Sequence, residues 1–178
     1  MKRQEMASPL EVERWMREYG TEILRIAYLY VGDVQIAEDI FQEVFLKAYQ
    51  GFADFQGKSS VKTWLVRIAI NSCKDYLKSA WKRRVTPMDE AMEQSLRGPD
   101  VYEQAEQRAD AKKVREAVFS LQEQYREVIV CFFYQELSLE ETAQVLRIPV
   151  GTVKSRLSRA KKKLKVLLGG GEEDGISK

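Results

Sequence analysis

The chain has 178 residues, 44% of them hydrophobic, with a formal net charge of +2, two cysteines and no histidine. That is apolar material for one modest core or two small ones. It excludes histidine-based acid–base chemistry, and no glycine-rich nucleotide loop is present.

Cys73 and Cys131 lie far apart among apolar neighbours, so buried thiols are expected instead of a disulfide framework or a zinc site. No apolar run is long enough to span a bilayer, and Met1 to Glu5 is followed by charge instead of a signal segment. A cytoplasmic protein that uses no cofactor and no metal is expected. Apolar residues recur at three- and four-residue intervals, so the fold class is all-α: two small helical domains joined by a flexible linker.

Leu10 to Val31 reads as the first helix, ended by Gly32, with Asp33 placed to cap the next. That second helix, Val34 to about Tyr49, packs through Ile36, Ala37, Ile40, Phe41, Val44 and Ala48, which leaves Asp39, Gln42, Glu43 and Leu46 together on its outer side. The loop from Gly51 to Ser60 carries Phe52, Phe55, Gly57, Ser59 and Ser60. Val61 to about Lys82 then reads as a long helix with an apolar face of Val61, Leu65, Ile68, Ala69, Ser72, Tyr76 and Ala80. Its other side carries Arg67, Asn71, Lys74, Lys78 and Lys82, with Trp64 at the edge. Aromatic rings beside a basic helix suit single-stranded DNA, because rings stack on bases while cations follow phosphates. Aromatics placed like Phe52, Phe55 and Trp64 are, however, more often core than platforms for bases.

Residues 85–106, polar and containing Pro87, Gly98 and Pro99, read as the tether between a domain at 1–84 and a second at 107–168, and 169–178 reads as a disordered tail. In the second block, Lys112 to Leu121 and Tyr125 to Tyr134 are amphipathic, with Val114, Val118, Leu121, Val128, Ile129 and Phe132 as their shared core. Ser138, with Glu141 three residues on, forms a capping box for a short helix. A turn near Arg147 to Pro149 leads into a basic helix. At about 100° per residue, Val153, Leu157, Ala160, Leu164 and Leu168 share one side, and Lys154, Ser155, Ser158, Arg159 and Lys162 gather nearly opposite. This is the layout of a DNA-reading helix-turn-helix. Arg147, Lys154, Arg156, Arg159, Lys161, Lys162, Lys163 and Lys165 occur with no acid among them, which suits phosphate neutralisation, and the helix start at Gly151 and Thr152 offers N–H groups to a phosphate. The plainer alternative is a solvated lysine-rich helix end.

The chain resembles the small two-domain bacterial RNA polymerase sigma factors of the extracytoplasmic-function (ECF) type. Three segments carry the resemblance in order. Ala37-Glu-Asp-Ile-Phe-Gln-Glu-Val-Phe-Leu-Lys-Ala-Tyr49 resembles the family's clamp-binding helix. Lys62-Thr-Trp-Leu-Val-Arg-Ile-Ala-Ile-Asn71 resembles the helix that meets the downstream promoter element. Tyr125-Arg-Glu-Val128 with the run Ser138 to Ala160 resembles the region that reads the upstream element.

The resemblance implies that Asp39, Gln42, Glu43, Phe45 and Leu46 dock on the coiled-coil of the polymerase clamp, the flap being a further polymerase contact. It implies that the loop Phe52 to Ser60, with Phe55, Lys58 and Ser59, captures a flipped base, supported by Trp64, Arg67, Asn71, Lys74 and Lys78. Arg147, Thr152, Lys154, Ser155, Ser158, Arg159 and Lys162 would face the upstream element. Its partners would be core polymerase, promoter DNA as duplex and as single strand, and an anti-sigma protein, often membrane-anchored in such families, with no small-molecule substrate. The function implied is transcription initiation in response to envelope or extracellular stress, not enzymatic catalysis. Two departures stand out: Gln122 where many relatives have proline, and Arg147 where glycine is frequent in the turn.

Two other readings compete. A conventional helix-turn-helix activator or repressor would account for the C-terminal block but leave the patch from Asp39 to Glu43 without a purpose. A recombinase or nuclease would need an activated nucleophile or a carboxylate cluster for metal, whereas the acids here are spread over helix exteriors.

Overall fold

A computed structural model describes residues 7–55, 57–85 and 105–169. The expected tether at 85–106 and tail at 169–178 fall almost wholly outside them, as do the side chains of Lys82, Arg83 and Arg84. The described elements are all helical: α1 (Pro9–Val31), α2 (Val34–Gly51), a 3₁₀ turn (Phe52–Asp54), α3 (Val61–Val85), α4 (Ala105–Ser120), α5 (Glu123–Ile129), a π-helical segment (Val130–Tyr134), α6 (Leu139–Leu146) and α7 (Val150–Leu167). They form two units, Met1–Pro99 and Asp100–Lys178.

In the first unit α1, α2 and α3 pack against one another. A capping box starts α1: Ser8 N–H donates to Glu11 Oε2 at 2.8 Å, Glu11 N–H donates to Ser8 Oγ at 3.2 Å, and Pro9 takes the first turn. Gly32 ends it in the left-handed region, φ 69°, donating its N–H to the Tyr28 carbonyl at 2.8 Å. Asp33 caps α2 as the sequence suggests, accepting from Ile36 N–H at 3.0 Å. Gly20 lets α2 come close, since a Cβ there would stand 3.3 Å from the Phe41 ring.

The shared core holds Trp15, Ile23, Ile26, Ala27 and Tyr30 of α1, Ile40, Val44 and Ala48 of α2, and Leu65, Val66, Ala69, Ile70 and Cys73 of α3. Each of the large apolar side chains among them contributes about 1.5–3 kcal/mol. The buried face of α3 differs from the expected stripe. Val66, Ile70 and Cys73 are buried, whereas Val61, Ile68, Tyr76 and Ala80 lie at the margin. The reason is that α3 packs on both α1 and α2, which widens its covered arc beyond a single stripe.

In the second unit α4 starts earlier than expected, and the helix read as Tyr125 to Tyr134 changes character midway. Gln135 N–H reaches back five residues to the Val130 carbonyl at 3.0 Å, a π-type closure. Val118, Leu121, Tyr125, Val128, Ile129, Val130 and Cys131 are buried, while Val114 is exposed and Phe132 half-buried. The extra residue in the π turn rotates the aromatic run, which brings Phe133 and Tyr134 to the surface. The α4–α5 corner is held by Arg126, whose Nη2 donates to the carbonyls of Phe119 and Leu121 at the end of α4. Gln122 keeps φ at −55°, the value a proline would impose there.

The helix-turn-helix forms as its signals indicate. Ser138 N–H donates to Glu141 Oε2 at 2.8 Å and Glu141 N–H to Ser138 Oγ at 3.0 Å. Ser138→Ala should therefore destabilise the second unit by about 1 kcal/mol. Urea unfolding followed by circular dichroism should show a lower midpoint with an unchanged slope for the transition of this unit.

Candidate docking and nucleic-acid surfaces

Ile40, Val44 and Ala48 turn one side of α2 into the core, and this fixes what the other side presents. Asp39, Gln42 and Glu43 are exposed, and Leu46 is 55% exposed beside them. Phe45, expected to dock with them, is 3% exposed and packs against Phe41 with ring centroids 4.9 Å apart. One turn beyond Phe41, its apolar ring is claimed by the core, so it lies behind the exposed side of α2 and does not form part of it. Lys47 was not anticipated in any role. Its Nζ lies 2.5 Å from Glu43 Oε1 and donates to Ser72 Oγ of α3 at 3.0 Å.

At the other end of α2 the loop aromatics converge. Phe55 and Trp64 have centroids 4.8 Å apart, Phe52 and Phe55 6.0 Å, and Trp15 of α1 stands 5.3 Å from Phe52 and 5.9 Å from Trp64. Trp15 is buried and the other three are partly covered. Of the two roles open to Phe52, Phe55 and Trp64, holding the loop to the core is the one their mutual contacts serve, since a ring stacked on its neighbours has less face to give to a base. The sequence reading missed Trp15, although its place on the buried stripe of α1 with Ile23 and Ile26 was a usable signal.

Ser60 also has a local task. Its Oγ accepts the Thr63 N–H at 3.0 Å and lies 2.8 Å from Thr63 Oγ1, so this hydroxyl caps α3 and is not free for a nucleotide. Lys58 is exposed and Ser59 half-buried in the loop around Gly57, whose φ of 66° suits glycine. On α3, Asn71 and Lys78 are exposed, while Arg67 and Lys74 are partly covered. The basic side of α3 is therefore real but narrower than its sequence suggests.

In the second unit Val153, Leu157 and Ala160 are buried and turn α7 so that Lys154, Ser155, Ser158, Arg159 and Lys162 all face solvent. Thr152 is half-buried, and its N–H already serves the Pro149 carbonyl at 2.9 Å, so it does not offer the free donor expected of it. Ser155 Oγ donates to the Thr152 carbonyl at 3.0 Å, which holds that side chain along the helix. Arg147 is exposed and left-handed, φ 54° and ψ 46°, where an arginine costs about 1–2 kcal/mol relative to glycine. It lies three residues before the start of α7.

Both cysteines are buried as expected. Burial pushes the Cys73 thiol up to about 12, with the Glu43 carboxylate adding in the same direction, and burial likewise raises Cys131. A raised value keeps both as neutral thiols near pH 8, so the folded chain should react with an aromatic disulfide reagent far more slowly than the chain in urea. Equal rates in the two states would contradict this burial. Among the described residues no helix is long and apolar enough to cross a membrane.

The Sigma-70 region 2 family matches residues 15–83, and Sigma-70 region 4 matches residues 111–164. The RNA polymerase sigma-H factor of Pseudomonas aeruginosa is 35% identical over 152 residues, 81% of this chain and 79% of that one. The ECF RNA polymerase sigma factor SigW of Bacillus subtilis is 34% identical over 83% of each chain. The ECF RNA polymerase sigma-E factor of Escherichia coli is 34% identical over 85% of this chain and 81% of its own. Among solved structures, the sigma factor RpoE in complex with the anti-sigma factor NepR from Bartonella quintana shares the fold, with a TM-score of 0.72 at 22% identity over 91% of this chain and 99% of that one. With both family models matched in order and relatives 34–35% identical over about four fifths of each chain, the chain belongs to the ECF group of RNA polymerase sigma factors, which direct transcription initiation and are not themselves enzymes.

Proposed function

We propose that Asp39, Gln42, Glu43 and Leu46 dock the first unit on the clamp of core polymerase, that the basic side of α3 with Asn71 and the Lys58–Ser59 loop tip engages the opened downstream strand, and that Arg147, Lys154, Ser155, Ser158, Arg159 and Lys162 meet the upstream duplex. The observation that carries this reading is the orientation of α2 and α7. Each buries a continuous apolar face and turns outward a set of polar side chains that the core does not cover.

Attachment to one polymerase, through the clamp and the flap, raises the effective concentration of each reader and makes two weak contacts strong together. Unstacking a base costs a few kcal/mol, returned by a pocket and by cationic contacts, so opening needs no ATP from this chain. The similar solved structures include the sigma factor RpoE in complex with the anti-sigma factor NepR, and CnrH in complex with the cytosolic domain of CnrY. An anti-sigma protein, membrane-anchored and released by envelope stress, is the corresponding partner here, covering the polymerase-facing surfaces of a cytoplasmic factor. The rival activator reading leaves the exposed Leu46 and its acidic neighbours idle.

Asp39→Arg with Gln42→Ala should abolish co-elution with core polymerase on gel filtration while leaving the helical content unchanged; co-elution of that variant overturns the docking assignment. Arg159→Ala should weaken promoter use in runoff transcription by about 1–3 kcal/mol if the guanidinium reads a base, and by less and independently of sequence if it meets only phosphate. Unchanged transcription removes Arg159 from the surface.

A further inference from the structure

The ammonium of Lys47 joins two helices with different tasks. It is 2.5 Å from Glu43 Oε1 on the outer side of α2 and donates at 3.0 Å to Ser72 Oγ, on α3. Ser72 is 1% exposed, so its hydroxyl is a buried polar group that needs a partner, and the long lysine stem brings a charge to it from the surface. Next to Ser72 stands Asn71, exposed on the side of α3 that carries the basic residues. Lys47 itself is half-covered, with 41% of its side chain exposed, which restricts the conformations from which it can reach both acceptors.

On the reading that the outer side of α2 docks core polymerase, we infer that Lys47 is a positioning residue. It holds the Glu43 carboxylate within the docking face and, through Ser72, ties the placement of that face to α3. A free glutamate on a helix exterior samples several rotamers, and ordering it on binding costs free energy. A cation four residues on fixes it beforehand. The second bond makes this arrangement specific to the packed helix pair, since Lys47 reaches Ser72 only while α2 and α3 keep their mutual register. Docking thus selects the conformation in which α3 is also correctly set against the opened strand.

The test uses the full chain with purified core polymerase. Lys47→Met keeps the stem and its packing but removes the ammonium, Lys47→Arg keeps a cation, and Ser72→Ala removes only the inner acceptor. Fluorescence anisotropy of labelled chain titrated with core should show Lys47→Met about 5-fold weaker, with a melting temperature within about 2 °C of the parent, and Lys47→Arg restored to within about 2-fold. Glu43→Gln and Lys47→Met combined should weaken binding no more than Glu43→Gln alone, because Lys47 acts on docking through that carboxylate. At saturating core, Ser72→Ala should slow promoter opening, read by permanganate reactivity of unpaired thymines.

Parent-like binding by Lys47→Met, or additive losses in the double variant, overturns the inference. A loss of binding matched by a large fall in melting temperature and not rescued by Lys47→Arg assigns the residue to folding alone and overturns it equally. The Asp39→Arg, Gln42→Ala variant separates the two levels. If that variant still binds core, the docking reading falls and this inference with it; if it fails to bind while Lys47→Met binds normally, only the positioning role falls.

Discussion

The burial of one face of α2 between α1 and α3 is the constraint from which the first unit's function follows. Ile40, Val44 and Ala48 are almost completely covered, and Phe45 fills the space beside Phe41. Removing any of these large apolar contacts costs a few kcal/mol, whereas reorienting surface acids costs tenths. The core therefore sets the rotation of the helix, and Asp39, Gln42, Glu43 and Leu46 are presented because they are what is left over. In the second unit Val153, Leu157 and Ala160 do the same for α7. A recognition surface made this way needs no strain of its own, and its precision is inherited from packing.

How much of this the sequence discloses depends on how local the deciding interaction is. Caps are local: Asp33, the Ser138–Glu141 box and Gly32 all take the conformations their residue types and spacing suggest, whereas Arg147 is left-handed against its residue type, at the turn where glycine is frequent. The buried and exposed sides of α7 follow directly from helical spacing, because α7 turns a single apolar stripe inward. On α3 the same reasoning fails by part of a turn, since two helices cover it from different sides. Phe45, assigned to docking by the family resemblance and absent from the stripe counted on α2, is buried because the core of a three-helix packing is wider than one stripe.

The aromatic loop shows a different limit. Phe52, Phe55 and Trp64 are near one another in sequence, and their clustering is easily imagined, but the fourth ring, Trp15, comes from a helix some forty residues away. Nothing local announces that contact. Once Trp15 is included, the group is a small core that anchors the loop, and in the proposed function the nucleotide-facing work falls to the polar residues Lys58, Ser59 and Asn71 around it. The π turn at Val130 is likewise invisible beforehand, because a five-residue closure leaves no signature in composition.

Arg147 illustrates why a structural cost can be kept. Glycine at this left-handed position would spare about 1 kcal/mol, and no acid lies between Arg147 and Lys165 to draw the guanidinium elsewhere. The second unit meets that cost from its packed core, and in return the turn presents a cation at the entrance of the reading helix, where it adds to the field of α7. Contacts of that kind are strongly reduced by salt and carry no sequence information. They favour arrival on DNA over choice of site, so under the proposed function discrimination rests on the few side chains on the outer face of α7 acting together with a first unit held on the same polymerase. A chain built this way gains selectivity from joint engagement, and its isolated surfaces can each stay weak.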